Sequence, residues 1–196
     1  MKRIATLLTL CLFPALAAGQ TSHNINVRGT IVSVSENALV VRTSDGHSST
    51  LEIPPQVNVA TTKPFSMSDI KPGMKLGVTT IVRADGQVVA IDVRPISATA
   101  NVGLSPYDLQ AGSTMTNGVL EAIVDASRGR ELVLNYQTGQ VKILVPPEAT
   151  MSQAAPGSRD DLKPGETVYV AARRNDSGQL IAQRVQVSKD GVKPTQ

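Results

Sequence analysis

The sequence predicts an all-β protein, and three features of its 196 residues support that class. Short segments rich in valine, isoleucine and threonine recur along the chain, and these residue types favour strands. Turn signals such as Asp-Gly and Pro-Gly separate the segments at short intervals. An apolar fraction of 41% with a charged fraction of 18% excludes a wholly disordered chain. We therefore expect small domains built from short strands.

The first segment has the order of a secretion signal. Lys2 and Arg3 are basic, residues 4–16 are almost entirely apolar, and Ala15-Leu16-Ala17 offers the small residues that cleavage requires. The apolar run is too short to span a bilayer well. We expect residues 1–19 to be a signal peptide and the mature protein to be periplasmic or secreted, with no transmembrane anchor. The alternative is an N-terminal core helix.

Charge and cysteine content exclude several function classes. Cys11 is the single cysteine and lies in the predicted signal, so disulfides, thiolate catalysis and cysteine zinc sites are excluded from the mature chain. Loss of Lys2 and Arg3, and of no acidic residue, lowers the net charge from +3 to +1. Such a chain has no long-range field to attract nucleic acid. Few aromatic residues remain for base stacking, and we expect no nucleic-acid partner.

One unit of sequence occurs twice in the mature chain. Three blocks of the first copy recur in the second at a constant spacing of 92 residues: 51–55 as 143–147, 68–73 as 160–165, and 85–90 as 177–182. Upstream, Gly29 corresponds to Gly118, and the shorter spacing reflects a small insertion at 127–130. We infer a tandem duplication. The predicted boundaries are a first copy at 20–96, a linker at 97–116, a second copy at 117–188 and a polar tail at 189–196.

Each copy reads as five strands with a short helical turn between the third and the fourth. The strands predicted for the first copy are 27–35, 38–43, 49–53, 74–83 and 87–94. Asp45-Gly46 is typical of a hairpin turn, and Pro54-Pro55 ends the third strand because proline lacks a donor. Ser66 or Ser68 caps the helical turn, and Lys71-Pro72-Gly73 fits a type II turn. The second copy follows the same order, with strands at 118–124, 131–136, 140–145, 166–174 and 179–187.

Three strands, a connection with a helical turn, and two further strands is the order of the OB-fold, a small Greek-key barrel. We therefore expect two tandem small OB-like β-barrels. The helix is reduced to about one turn, so an SH3-like or irregular barrel remains an alternative. The linker at 97–116 contains mostly small and polar residues.

The repeat also resembles a family of small secreted bacterial proteins of unknown function with OB-like β-barrels. The residues that carry the resemblance are Gly29, Val34, Leu39, Val40, Asp45, Gly46, Asp69, Lys71, Pro72, Gly73, Asp85, Gly86, Ala90 and Val93. These residues lie at strand and turn positions of the first copy, and the resemblance covers both copies but not the linker. The resemblance implies a fold and no activity, so no catalytic residue is carried over.

Candidate chemical sites are few. His47 follows Asp45 and precedes Ser48, but neighbours on one hairpin point in alternating directions and do not converge as a catalytic triad does. We expect no catalytic residue and no cofactor. The weak metal candidate is His23, because cleavage before Thr21 would place its imidazole third from a free amine, an arrangement that suits Cu(II) or Ni(II). Cleavage after residues 17 to 19, which the signal pattern favours, moves His23 out of that position, and the alternative is a solvated histidine.

These observations predict an exported envelope protein that acts as a non-enzymatic binding or scaffold module. Its partner would be a protein or a small ligand of the envelope. The alternative is a periplasmic metal-binding or metal-handling accessory protein, for which histidine, methionine or carboxylate side chains should converge in a pocket. A hydrolytic enzyme is the least favoured class.

Overall fold

The computed structural model describes residues 24–194, which form thirteen strands and two single turns of 3-10 helix. The strands are β1 (Ile25–Val34), β2 (Ala38–Thr43), β3 (Ser48–Glu52), β4 (Asn58–Pro64), β5 (Lys75–Val82), β6 (Val88–Pro95), β7 (Gly103–Pro106), β8 (Thr114–Ala126), β9 (Gly129–Tyr136), β10 (Gly139–Val145), β11 (Thr150–Pro156), β12 (Thr167–Arg174) and β13 (Leu180–Val187). The helical turns are Met67–Asp69 and Arg159–Asp161. The predicted all-β class is confirmed. Within this range no helix is long and apolar enough to cross a membrane.

The two copies contain the same elements in the same order, β1 to β6 in the first and β8 to β13 in the second. Each helical turn has a reciprocal cap, Ser66 with Asp69 and Ser158 with Asp161. Each Lys-Pro-Gly turn precedes the fourth predicted strand, and Gly73 and Gly165 have φ values of +86° and +92°. Glycine suits both positions because a left-handed backbone disfavours a Cβ.

The strands of the two copies are exchanged. β1 pairs with β2 on one edge and with β12 of the other copy on the second edge. β2 pairs with β3, and β13 pairs with both β12 and β3, so β1, β2, β3, β12 and β13 form a closed cycle of pairings that we call ring 1. β8, β9, β10, β6 and β5 form the corresponding ring 2, closed where Leu144 of β10 meets Val89 of β6.

Backbone hydrogen bonds at the Lys-Pro-Gly turns join the copies symmetrically. The Gly73 N–H donates to the Leu120 carbonyl at 2.8 Å, and the Gly165 N–H donates to the Ile31 carbonyl at 2.9 Å. Ile31 and Leu120 are corresponding residues of the two copies by the spacing of Gly29 and Gly118. Each turn is therefore tied to the first strand of the opposite copy.

Two hydrophobic cores follow the two rings. The first combines residues between 27 and 59 with residues between 162 and 187, and the second combines residues between 65 and 93 with residues between 120 and 145. We had expected 20–96 and 117–188 each to close on itself, and the pairing differs from that expectation. The pattern of a strand fixes which face is buried but not which copy supplies its neighbour. The two copies have nearly the same pattern, so the sequence did not reveal the exchange.

β4 and β11 connect the rings and were not predicted from the sequence. β4 pairs with β13 of ring 1, β11 pairs with β6 of ring 2, and the two strands pair with each other in antiparallel fashion. Each begins soon after a pair of prolines, in a segment without clear alternation of apolar and polar residues. The ladder through these strands makes one continuous sheet of the whole fold.

The segment at 97–116, predicted to be a linker, is partly ordered as sheet. It contains β7, which pairs with β8, and the first residues of β8 itself. Lys75 fixes its beginning by donating from Nζ to the carbonyls of Ala98 and Ala100 at 2.6 and 2.9 Å. Its middle contacts ring 1, where Asp108 accepts a hydrogen bond from Arg28 at 2.8 Å. The segment therefore bridges both rings.

Candidate binding groove

Three adjoining hollows surround the hairpin between β8 and β9 in ring 2. Their volumes are about 460, 660 and 480 Å³. We call the first the methionine groove. It is lined by Met67, Asp125, Ala126, Gly129, Arg130, Val145, Pro146, Pro147, Ala149 and Met151. Its lining is mainly apolar, and its size lies in the range of small-ligand sites.

Residues of both copies build the methionine groove. Met67 begins the first helical turn, which the Ser66 N–H fixes by donating to Asp69 at 2.8 Å. Met151 lies on β11 beside Val93 of β6, and Val145 ends β10 before the prolines. Met67 comes from the first copy and the others on the floor from the second. The groove therefore exists because the strands are exchanged.

The corresponding place in ring 1 is filled by an arginine. Arg159 begins the second helical turn and corresponds to Met67 at the spacing of 92 residues. Its guanidinium donates to the carbonyls of Pro54 at 2.9 Å and Ile53 at 3.4 Å, and also to that of Glu36. Ile53 and Pro54 correspond to Val145 and Pro146 of the methionine groove. One copy of the site is thus occupied by the protein itself and the other is open.

Charged residues at the rim of the hollows balance one another. Arg130 and Asp125 form an ion pair at 3.3 Å beside the groove, and both side chains are substantially exposed. Arg83, Arg128 and Glu148 line the adjoining hollow. Within residues 24–194 the side chains of Arg83 and Arg128 have no hydrogen-bond or ion-pair partner. The methionine groove therefore has mainly apolar walls, and the two adjoining hollows are more polar, with nearly balanced charge.

A second polar cluster lies on ring 1, and its side chains bind one another. The Arg28 guanidinium lies 5.4 Å from the ring centre of Tyr107 and 5.3 Å from that of Tyr169. The Tyr169 hydroxyl donates to Asn26 at 2.9 Å, and Asn26 donates to Asp108 at 3.0 Å. Burial raises the pKa of Tyr169. These contacts hold the middle of the 97–116 segment against β1 and β12.

A buried ion pair occupies the outer face of ring 2. Asp92 is 0% exposed and accepts a hydrogen bond from Arg94, whose side chain is 8% exposed. Arg94 also donates to the Met115 sulfur at 3.5 Å. A Cβ on Gly77 would lie 3.5 Å from Arg94 Nε and 3.1 Å from Asn117, so the glycine leaves room for these polar groups.

The site residues considered from the sequence do not converge. His47 Nδ1 lies 3.2 Å from Asp45 on an exposed hairpin, and in the described chain its ring has no hydrogen bond to Ser48. Hydrogen bonds from the Thr43 hydroxyl and from His47 lower the pKa of Asp45 to about 2. His23 lies outside the described residues. Among residues 24–194 no group of three or more histidine, cysteine, aspartate or glutamate side chains could hold a metal ion.

The sequence analysis missed the methionine groove, although one signal for it was present. When the copies are aligned at 92 residues, Met67 stands opposite Arg159 in an otherwise similar segment. This change from a long cation to an apolar side chain marks a place where the chemistry of the two copies differs. The difference between Met67 and Arg159 can be interpreted only when the proline that each residue faces is known. The exchange of strands determines which proline that is.

Comparisons with protein-family models, curated proteins and solved structures found nothing that matches this chain.

Proposed function

We propose that this protein is an exported, non-enzymatic binding module of the cell envelope and that the methionine groove is its binding site. One observation carries the proposal: ring 1 fills this place with its own Arg159, whereas ring 2 leaves it open above an apolar floor. Two methionines in the floor suit a binding site because their flexible thioethers adapt to different ligand shapes.

We also propose an architecture of two barrels. The two rings are OB-like barrels of a duplicated unit, with the last two strands of each copy exchanged. The β8–β9 and β5–β6 hairpins flank the hollows of ring 2, and the loops between strands one and two and between strands four and five flank the ligand site of OB-folds. The order of residues 1–19 supports export to the periplasm or the medium. Duplication followed by loss of the arginine in one copy would create such a groove.

The contacts of the polar residues favour binding over catalysis. The groove contains one rim ion pair, Arg130 with Asp125, and no nucleophile hydrogen-bonded to a base within the described residues. Three of the four aromatic side chains in residues 24–194 are engaged elsewhere, since Tyr107 and Tyr169 stack on Arg28 and Phe65 is buried, which leaves only Tyr136 for base stacking. The alternative of metal handling rests on His23 and on Met67, Met151 and Asp125, which all line the groove. Among residues 24–194 no group of three or more histidine, cysteine, aspartate or glutamate side chains accompanies them.

Fluorescence of the neutral probe N-phenylnaphthylamine tests whether the groove binds apolar ligands. We expect saturable binding at one site on the full chain, and loss of that binding in Met67→Arg, which supplies the side chain that fills ring 1. The matched variant Arg159→Met should open the second site and raise the stoichiometry to two. Probe binding that is unchanged by Met67→Arg would contradict the proposal.

A further inference from the structure

We propose that the methionine groove binds an arginine side chain presented by a partner polypeptide. This inference rests on the proposed function and names the ligand of the same site. Ring 1 serves as the template, because there the protein shows which group the site accepts when it is filled. The partner would present the arginine from an exposed turn or an extended segment.

In ring 1 the bound group is a guanidinium. Arg159 donates to the carbonyls of Pro54 and Ile53, and to that of Glu36, so one planar cation links three backbone acceptors. A guanidinium suits such a set because its five donors lie in a fixed plane, whereas an ammonium acts as a point charge. The site is therefore selective for the chemistry of arginine.

In ring 2 the corresponding acceptor, the Pro146 carbonyl, accepts one hydrogen bond fewer than its counterpart Pro54. The Pro54 carbonyl accepts two hydrogen bonds, from the Val57 N–H at 3.0 Å and from Arg159. The Pro146 carbonyl accepts one, from the Ala149 N–H at 3.1 Å, and within residues 24–194 it has no second donor. A carbonyl oxygen has two lone pairs. The second lone pair of Pro146 corresponds to the one that Arg159 uses in ring 1.

The walls of the groove suit the rest of an arginine side chain. Its aliphatic stem would lie along Met67 and Met151, as long basic side chains commonly bury their methylene groups. Asp125 uses one carboxylate oxygen for Arg130, and the other provides a charged acceptor at the rim. The Arg130 side chain donates to none of the groove carbonyls, so it does not replace that of Arg159 in this ring.

A partner polypeptide fits the site better than free arginine. The methionine groove shares Gly129, Pro146 and Pro147 with the neighbouring hollow, so a chain that places an arginine in the first can continue into the second. Arg159 reaches its site from a tethered turn, which spares much of the entropy that an external ligand loses on binding. Contacts along the second hollow would compensate for this loss.

Methyl NMR on the full chain with ¹³C-labelled methionine tests the inference. The probes are N-acetyl-Ala-Arg-Ala amide and the same peptide with citrulline, which has nearly the same shape without the charge. We expect the arginine peptide to shift the Met67 and Met151 methyl signals in a saturable way, and the citrulline peptide to bind at least tenfold more weakly. In Met67→Arg the Met151 signal should no longer respond to either peptide.

Chemical rescue provides a second measurement. Arg159→Ala should lower the melting temperature, and propylguanidinium should restore part of that loss while the uncharged propylurea does not. Equal responses to the two peptides or the two small probes would overturn the inference. If N-phenylnaphthylamine binds the groove and the arginine peptide does not, the ligand class is wrong and the binding site stands. If neither binds, the proposed function fails as well.

Discussion

Thr62 and Ala154 face each other across the β4–β11 ladder, and they are corresponding residues of the two copies, 92 positions apart. On either side, Thr61 pairs with Ala155 and Lys63 pairs with Gln153. Thr61 corresponds to Gln153 and Lys63 to Ala155, so exchanging the two copies turns the first pair into the second. Such a self-complementary ladder is the pattern of a two-fold homodimer interface. The chain is therefore organised as a strand-exchanged dimer fused into one polypeptide.

The first prediction concerns an isolated copy. Residues 24–96 contain three strands of ring 1 and two of ring 2, so one molecule cannot complete either ring. We expect this fragment to form a homodimer with exchanged β5 and β6, and to unfold as it is diluted. Sedimentation and circular dichroism over a range of concentrations measure this. A folded monomer as stable as the full chain would contradict the account.

Much of the fold was predictable because local chemistry determines it. Asp45-Gly46 and Lys71-Pro72-Gly73 occupy turns as expected, with positive φ at Gly46 and Gly73. The strands predicted on either side of them are present. The exchange, β4 and β11 could not be predicted, since residues such as Thr62 and Ala154 acquire their partners only in the assembled molecule. For the same reason the sequence revealed no groove at Met67.

The second prediction concerns pH. Burial raises the pKa of Asp108, but hydrogen bonds from Arg28 and Asn26 outweigh it, so the net pKa lies below the ordinary value of 3.8. A lowered pKa in the folded state stabilises the protein above the unfolded pKa, and the effect is lost as the pH falls through the folded pKa. Asp108→Asn should therefore lower the free energy of unfolding at neutral pH. Its difference from wild type should shrink below about pH 4.

Urea unfolding between neutral and acidic pH measures that difference. Asp160→Asn, at an exposed residue of the second helical turn, serves as the control and should follow the wild-type curve. A difference for Asp108→Asn that stays constant over the whole pH range would show that its carboxylate charge has no role.

The third prediction concerns the buried pair of Asp92 and Arg94. Asp92→Ala should lower the free energy of unfolding by about 3–5 kcal/mol, because it leaves a buried guanidinium without its main compensating charge. The double variant Asp92→Leu with Arg94→Met should cost less than Asp92→Ala alone, since no uncompensated charge remains. Denaturant titrations of the three proteins decide this. A double variant that costs as much as Asp92→Ala, or more, would argue against coupling.

The fourth prediction is that the protein does not bind nucleic acid. Arg94 is engaged with Asp92, Tyr169 is 5% exposed, and Phe65 is 6% exposed, so neither a cationic stripe nor a stacking surface is available at these positions. Fluorescence anisotropy with a labelled single-stranded oligonucleotide at low salt should show no saturable binding. Submicromolar affinity that weakens as salt is added would move nucleic acid to the first place among partners.

The exchange of strands between the copies is the central claim, because it also brings Met67 to the prolines of the second copy. Disulfide formation in the full chain tests it directly, with Cys11→Ser to remove the native thiol. Thr30 of β1 pairs with Thr167 of β12, whose counterpart in the first copy is Lys75. Paired residues on neighbouring strands lie within the Cα separation that a disulfide requires.

The measurement is the extent of oxidation in two double variants of the monomeric protein, Thr30→Cys with Thr167→Cys and Thr30→Cys with Lys75→Cys. The account predicts rapid, nearly complete intramolecular crosslinking of the first pair and little of the second. Crosslinking of the second pair in preference to the first would show that each copy closes on itself, and would contradict the account.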